Sequence, residues 1–392
     1  MREVVIAAAA RLPVGKFGGS LREVPDWKLG VTAFSAAVER ADIALEAIDE
    51  VIIAQSYRTG DSPVNISRVI AVRAGVPIET PEFTMNKHCG SSLRAVNLAA
   101  QIIKAGDADL IVAGGLESMS RAAYMVPAAR WGGRLGHGQL LDPLVLYDPL
   151  SGCTMGQTGE KLAEQYQISR EEQDRFALAS EHKAEAAVRS GRFRAEVAPI
   201  EVPAGKGQTR LFDSDETPRF GTTMESLAKL QPVFKENGTL TAGNSSKMND
   251  GAGMAVVMSA ERAAQLGVKP LARIVSYASA GVPPEIMGIG PVPATKKALA
   301  KAGLVMDDID LIELNEAFAS QSIAVIRELK LDLEKLNVNG GAIALGHPIA
   351  ATGVTILTKL LYEMQRRRLR YGLATLCIGG GQGIATIVEN LR

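Results

Sequence analysis

The sequence predicts an α/β protein built from two like halves, with a long irregular insertion between them. Three observations point there. Short, continuous apolar runs alternate with stretches of helical periodicity, the pattern of strands buried on both faces by helices. Residues 41–53 (ADIALEAIDEVII) resemble residues 302–314 (AGLVMDDIDLIEL), each a helix end, a turn and a strand. Between about 120 and 245 the alternation gives way to Gly- and Pro-rich sequence, including Trp131-Gly132-Gly133, Pro218 and Pro232.

In chain order, Val4 to Ala10 reads as a strand. It is too short, and too closely flanked by Glu3 and Arg11, for a signal peptide. Leu29 to Ala41 reads as a helix and Val51-Ile52-Ile53-Ala54 as a buried strand. The periodic run Leu93, Val96, Leu98, Ile102, Ile103 is a helix ending at Gly106. Leu110-Ile111-Val112-Ala113 is the next strand, ending in Gly114-Gly115. The expected sheet is parallel and covered on both faces. In the insertion, Ser169 and Glu172 form a capping box for a helix closed by Gly191. The expected units are 1–119 with 246–269, an inserted loop domain at 120–245, and a C-terminal half at 270–392.

Composition narrows the function. Of 392 residues, 46% are hydrophobic and 22% charged, with a formal net charge of zero, so no electrostatic case exists for nucleic acid or an anionic membrane. No apolar run approaches the ~18 residues of a membrane span. The three Cys show no C-x-x-C spacing, which argues against a disulfide framework or a zinc site and fits a reducing, cytoplasmic setting.

The candidate chemistry starts at Asn86-Lys87-His88-Cys89-Gly90-Ser91-Ser92. Cys89 stands at a helix start, where free N–H groups favour a thiolate; a buried structural Cys fits the same pattern. The repeat pairs it with His347. Ile48 to Cys89 spans 41 residues and Ile309 to His347 spans 38, and each endpoint precedes a helix leading to an apolar strand and glycines. If the halves pack about a pseudo-twofold axis, both residues face one cleft, where a neutral imidazole can take the thiol proton. Cys377 precedes Gly379-Gly380-Gly381, and reads either as a small buried hydrophobe or as a thiol acid/base beside glycine N–H groups that bind an oxyanion. Asn315 and Glu316 read as helix caps, or Asn315 as the holder of a water. Met155, Met287 and Phe318 suit an apolar pocket or plain core packing.

Taken in order, Asn86 to Ser91, Thr241-Ala242-Gly243-Asn244-Ser245-Ser246, Met287-Gly288-Ile289-Gly290-Pro291, Asn315-Glu316-Ala317-Phe318, Gly346-His347-Pro348 and Cys377 to Gly381 resemble a thiolase along essentially the whole chain. The resemblance implies a duplicated five-layer α-β-α-β-α architecture with an inserted loop domain. It implies an acyltransferase that runs a reversible Claisen condensation of two acetyl-CoA, or thiolysis of a 3-ketoacyl-CoA, through an acyl-Cys89 thioester. His347 then matches the base that activates Cys89, and Cys377 the acid/base at the α-carbon. Asn315 matches the holder of a water at the enolate, and Gly379 a donor of the oxyanion hole. Arg219, Leu227 and Ser246 match positions near coenzyme A, with Met155 and Phe318 beside them. The partners implied are acyl-CoA, acetyl-CoA and CoA, with no metal, no cofactor beyond CoA as substrate, and a homotetramer.

Three positions depart from the family pattern. Thr154 stands before Met155-Gly156 where short-chain members commonly carry His, Ala350 where Gly is usual, and His88 where an apolar residue is usual. The first leaves a preference for longer or unusual acyl chains open. The alternatives, a decarboxylating synthase of the superfamily or a non-catalytic acyl-CoA-binding subunit, fit less well with Cys89, His347 and Cys377 all present.

Overall fold

The computed structural model describes residues 2–59, 64–133 and 135–392. The first half contains β1 (Val4–Arg11), α1 (Asp26–Ala41), β2 (Glu50–Ala54), α2 (Ile66–Arg73), β3 (Glu82–Met85), α3 (Ser91–Ala105) and β4 (Leu110–Ser118). In the insertion are α4 (Met155–Gln165), α5 (Arg170–Arg189) and a hairpin of β5 (Ile200–Gly205) and β6 (Gln208–Phe212). Then follow β7 (Asn249–Ser259), β8 (Ala272–Gly281), α6 (Pro291–Ala302), β9 (Leu311–Leu314), α7 (Ala319–Leu329), α8 (Thr352–Arg367), β10 (Tyr371–Ile378) and β11 (Gln382–Asn390).

The duplication is visible in the strand order. In the first half β1 pairs with β7, β7 with β4 and β4 with β2, while β3 forms the outer edge. In the second, β8 pairs with β11, β11 with β10 and β10 with β9. Two residue pairs between β1 and β8, Val5 with Arg273 and Ile6 with Ala272, join the halves. The sheet is mixed rather than parallel as expected. β2, β3 and β4 run parallel, but β7 returns antiparallel after the insertion and β11 returns antiparallel through a tight glycine turn, so neither makes a parallel crossover. β4 also continues through Gly114 and Gly115 to Ser118, because pairing with β7 extends along its whole length.

Three apolar cores separate five layers. Leu29, Phe34 and Val38 of α1 pack with Val5, Val51 and Val112 on one face of the first sheet. Leu93 and Val96 of α3, with Leu357 and Leu360 of α8, fill the space between the sheets, against Ile6 and Ile111 on one side and Leu376 and Ile384 on the other. Ala298 and Leu299 of α6, with Ile323 and Val325 of α7, cover the outer face of the second sheet against Leu373 and Ile387. Strands buried on both faces and a largely buried helix pair explain the continuous apolar runs.

Part of the insertion is built into the first half. Ile200, Val202 and Phe212 of the β5–β6 hairpin join the α1 core. Arg11, at the end of β1, donates to Glu196 Oε1 at 2.7 Å and with both arms of its guanidinium to Asp215 at 2.8 and 2.9 Å. The Ser169 hydroxyl caps α5 by accepting from the Glu172 N–H, but the reciprocal half of the expected box does not form. The Glu172 carboxylate instead accepts from Arg327 at 2.6 and 2.8 Å, a two-point ion pair to α7.

Removing the Arg11 guanidinium leaves two buried carboxylates facing each other without a counter-ion. Arg11→Ala is expected to lower unfolding stability by ~3–5 kcal/mol, read from the urea midpoint; a loss below ~1 kcal/mol would mean that this triad does not hold the insertion to β1.

Candidate active site

Cys89 sits in one turn of 3-10 helix, His88–Gly90, that opens α3. The turn is strained at His88, whose φ of +47° is left-handed and costs a residue with a Cβ about 1 kcal/mol or more. Neighbouring side chains hold it. Asn86 Oδ1 accepts from the His88 N–H at 2.9 Å, and Ser91 Oγ accepts from the Lys87 N–H at 2.7 Å while donating to the His88 carbonyl at 2.6 Å. Ser92 Oγ accepts from the Val354 N–H at 2.9 Å, tying the start of α3 to the start of α8.

His347 arrives at the same place from the second half. Its N–H donates to Asn249 Oδ1 at 3.0 Å and to the Lys247 carbonyl at 3.2 Å. Gly346 has φ +99°, and a Cβ there would fall 2.3 Å from Asn249 Oδ1, so a side chain at this position would push Asn249 off the loop. The imidazole Nε2 lies 3.2 Å from Cys89 Sγ, and Nδ1 lies 2.6 Å from Thr352 Oγ1. Thr352 spends its own proton on the Pro348 carbonyl at 2.9 Å. The network therefore assigns the ring proton to Nδ1 and leaves the Nε2 lone pair facing the thiol.

Burial sets the charge state. It pushes the Cys89 thiol up to about 11, although the N–H groups of Gly379 and of Cys89 itself hydrogen-bond the sulfur and pull it down. It pulls His347 down to about 4. At neutral pH the pair is a thiol beside a neutral imidazole. The thiolate expected from the helix start does not form at rest, because desolvation outweighs the helix-end N–H groups.

Cys377, the penultimate residue of β10, is wholly buried against Met287, Ala317 and Phe318. Burial and then the nearby Cys89 raise its pKa, so it too rests as a thiol. The Gly380 and Gly381 turn, both at φ +82°, follows and presents Gly379 to Cys89. Asn315 is wholly buried, and neither Oδ1 nor Nδ2 has a partner among the described residues. Neither Asn315 nor Glu316 caps α7, whose N-cap is Phe318. Glu316 accepts instead from Ser180 Oγ, Asn337 Nδ2 and the Ile343 N–H, bracing the His347 loop against α5.

A cavity of about 390 Å³ opens onto Cys89, His347 and Gly379. Met155, Met287, Phe318, Leu146 and Leu150 give it an apolar wall, and Ser246 also lines it. A half-buried Cys89 thiol, an imidazole with a free lone pair, two backbone donors on the sulfur and a second, wholly buried thiol can together carry acyl transfer.

Comparison with known proteins agrees. The thiolase N-terminal domain matches residues 4–261 and the thiolase C-terminal domain residues 268–390. The chain belongs to the thiolase family. It is 54% identical to an acetyl-CoA acetyltransferase of Pseudomonas aeruginosa over 98% of each chain, and 48% identical to a beta-ketothiolase of Cupriavidus necator over the full length of both. The Bacillus anthracis acetyl-CoA acetyltransferase superposes with a TM-score of 0.97 at 45% identity, covering 100% of this chain and 99% of that one. Human mitochondrial 3-ketoacyl-CoA thiolase in complex with CoA superposes at 0.96 with 43% identity, covering 100% and 98%. This thiolase is an acyltransferase that makes or cleaves the carbon–carbon bond of a 3-ketoacyl-CoA.

Other expected positions divide. Arg219 donates to Glu181 Oε1 and to the Ala242 carbonyl, and Leu227 packs with Ala177, Ala319 and Ile343; neither lines the cavity. Of the three departures, His88 lines the cavity. Thr154 N-caps α4 in a box with Gln157. Ala350 lies in a 3-10 turn without positive φ, its N–H donating to Glu117 Oε2 at 3.0 Å, so its methyl imposes no backbone strain.

Sequence reasoning missed Thr352, Asn249 and Glu117. Glu117 is wholly buried, accepts from the Ser56, Tyr57 and Ala350 N–H groups, and is raised by burial to about 8. A hydroxyl five residues after His347, on the first turn of a helix, was the one readable signal. Thr352→Val should lower kcat roughly 10-fold to 100-fold with KM for acyl-CoA unchanged, since it removes the acceptor that fixes the tautomer. Thr352→Ser should restore most of the rate; equal losses in both would show that the methyl, not the hydroxyl, matters.

Proposed function

We propose that Cys89 is the nucleophile, activated by His347, and that the chain acts as an acetyl-CoA acetyltransferase. The observation that carries this reading is the 3.2 Å approach of a lone-pair-bearing Nε2 to a neutral thiol. Cys89 Sγ attacks the thioester carbonyl as Nε2 takes its proton, so charge appears only as the bond forms. The N–H groups of Cys89 and Gly379 stabilise the resulting oxyanion. CoA leaves with the proton from His347, and the acyl group remains on sulfur.

In condensation, the Cys377 thiol passes its proton to Nε2 of His347, and the thiolate so formed removes the α-proton of a second acetyl-CoA. The enolate oxygen is held by protonated Nε2 of His347 and a water on Asn315, and its carbon attacks the acyl-Cys89 carbonyl. In thiolysis the steps reverse, and a neutral Cys377 thiol suits delivery of a proton to the departing carbanion. The thioester itself acidifies the α-carbon, so the scheme uses CoA as substrate and no further cofactor.

Ser246, Met155 and Phe318 are proposed to flank the pantetheine, with Arg219 and Leu227 beyond them. The insertion at 120–245 is read as the domain that covers CoA, and its exposed Trp131, Leu140 and Tyr124 as contacts within a homotetramer. The two halves on either side are read as the units 1–119 with 246–269, and 270–392. A cytoplasmic setting is proposed from the three unpaired cysteines. No helix among the described residues is long and apolar enough to cross a membrane.

Mixing the enzyme with acetyl-CoA is expected to add one acetyl group on Cys89 by intact mass and peptide mapping, removed again by CoA. Cys89→Ser should lose the adduct. Cys377→Ala should keep it and lose acetoacetyl-CoA synthesis by ~100-fold or more; full condensation in that variant would refute the assigned acid/base.

A further inference from the structure

A second cavity, of about 340 Å³, lies between α3, β8 and the last turn of α6 and shares no lining residue with the catalytic one. Arg94, Asn97 and Gln101 face it from one stripe of α3, with Lys87 before the helix, Lys301 from α6 and Tyr277 from β8. Lys104 extends the stripe, its Nζ 5.3 Å from the centre of the Tyr277 ring, with Lys301 Nζ 5.9 Å from the same ring. Three cations, Lys87, Arg94 and Lys301, line the cavity with Lys104 beside them, and no Asp or Glu among the described residues lines it.

Like charges gathered on low-dielectric walls repel unless an anion joins them. Here the repulsion is visible: burial and then Arg94 lower the Lys87 ammonium, and burial and then Lys301 lower that of Lys104. The cavity is also rich in unused donors. Arg94 makes no hydrogen bond or ion pair among the described residues, and Lys87 has the neutral Gln382 Oε1 at 2.5 Å as its partner. Asn97 is 1% exposed; its Oδ1 accepts from Thr386, while its Nδ2 has no partner among the described residues. A guanidinium fork, an amide N–H₂ and three ammonium groups match the oxygens of a phosphoryl group.

We propose that this cavity is an anion site for a small phosphate-class polyanion, separate from the site of acyl transfer. Lys87 connects the two, because Gln382, which accepts its proton, lines the catalytic cavity.

The test is calorimetric titration of the whole enzyme with pyrophosphate, CoA present at saturation and ionic strength held constant with NaCl. One saturable site per chain is expected. Lys301→Gln and Lys104→Gln should each weaken it by about tenfold, and Arg94→Gln by more, while acetoacetyl-CoA thiolysis stays unchanged in the two lysine variants. Citrate of similar charge should bind at least about tenfold more weakly. Equal binding of citrate would overturn the phosphate assignment. No saturable heat, or binding unchanged in both lysine variants, would overturn the site, the outcome expected if a second copy of the chain fills the cavity.

Discussion

Everything at the site depends on two buried helices starting at the same point. α3 and α8 pack against each other between the sheets, and the Ser92 hydroxyl holds the Val354 N–H where they begin. That contact brings Cys89 from one half and His347 from the other to 3.2 Å. A single α/β unit presents one reactive residue at the start of its inner helix. Two such units, related by the repeat and joined through β1 and β8, present two residues to one cavity. The duplication therefore accounts for the meeting of Cys89 and His347 as well as for the architecture.

The same burial that packs these helices governs the chemistry. With the thiol raised and the imidazole lowered, no ion pair stands in the resting site. The position of the proton is then decided by hydrogen bonds, through Thr352 and the Pro348 carbonyl, and not by net charge. Around this pair the supports are backbone-directed. Asn249 fixes His347, Asn86 and Ser91 fix the left-handed His88, and Glu117 joins the Ser56–Tyr57 segment to the loop after His347. These contacts set the alignment on which acyl transfer at such a site depends.

Much of this was legible in the residues. The repeat of 41–53 at 302–314 announced equivalent places for Cys89 and His347, and continuous apolar strands announced layers covered on both faces. The motifs singled out Gly379 and Asn315; in the structure the first lies against the Cys89 sulfur and the second is buried without a partner among the described residues. What escaped was set by tertiary contact. Antiparallel β7 follows a long insertion whose return path no local pattern encodes. Glu172 left its capping box for Arg327, more than a hundred residues away. The raised Cys89 pKa reflects three-dimensional burial, which overrode the helix-end rule that local sequence supports.

The central claim is that Cys89 is a neutral thiol poised on a neutral His347. Its most direct measurement is the thiolate absorbance near 240 nm, taken as wild type minus Cys89→Ser from pH 5 to pH 10. The account predicts no Cys89 thiolate signal up to about pH 9, with the rise beginning above it. A full thiolate step at or below pH 7 would contradict it, and would mean that the resting enzyme holds a thiolate–imidazolium pair.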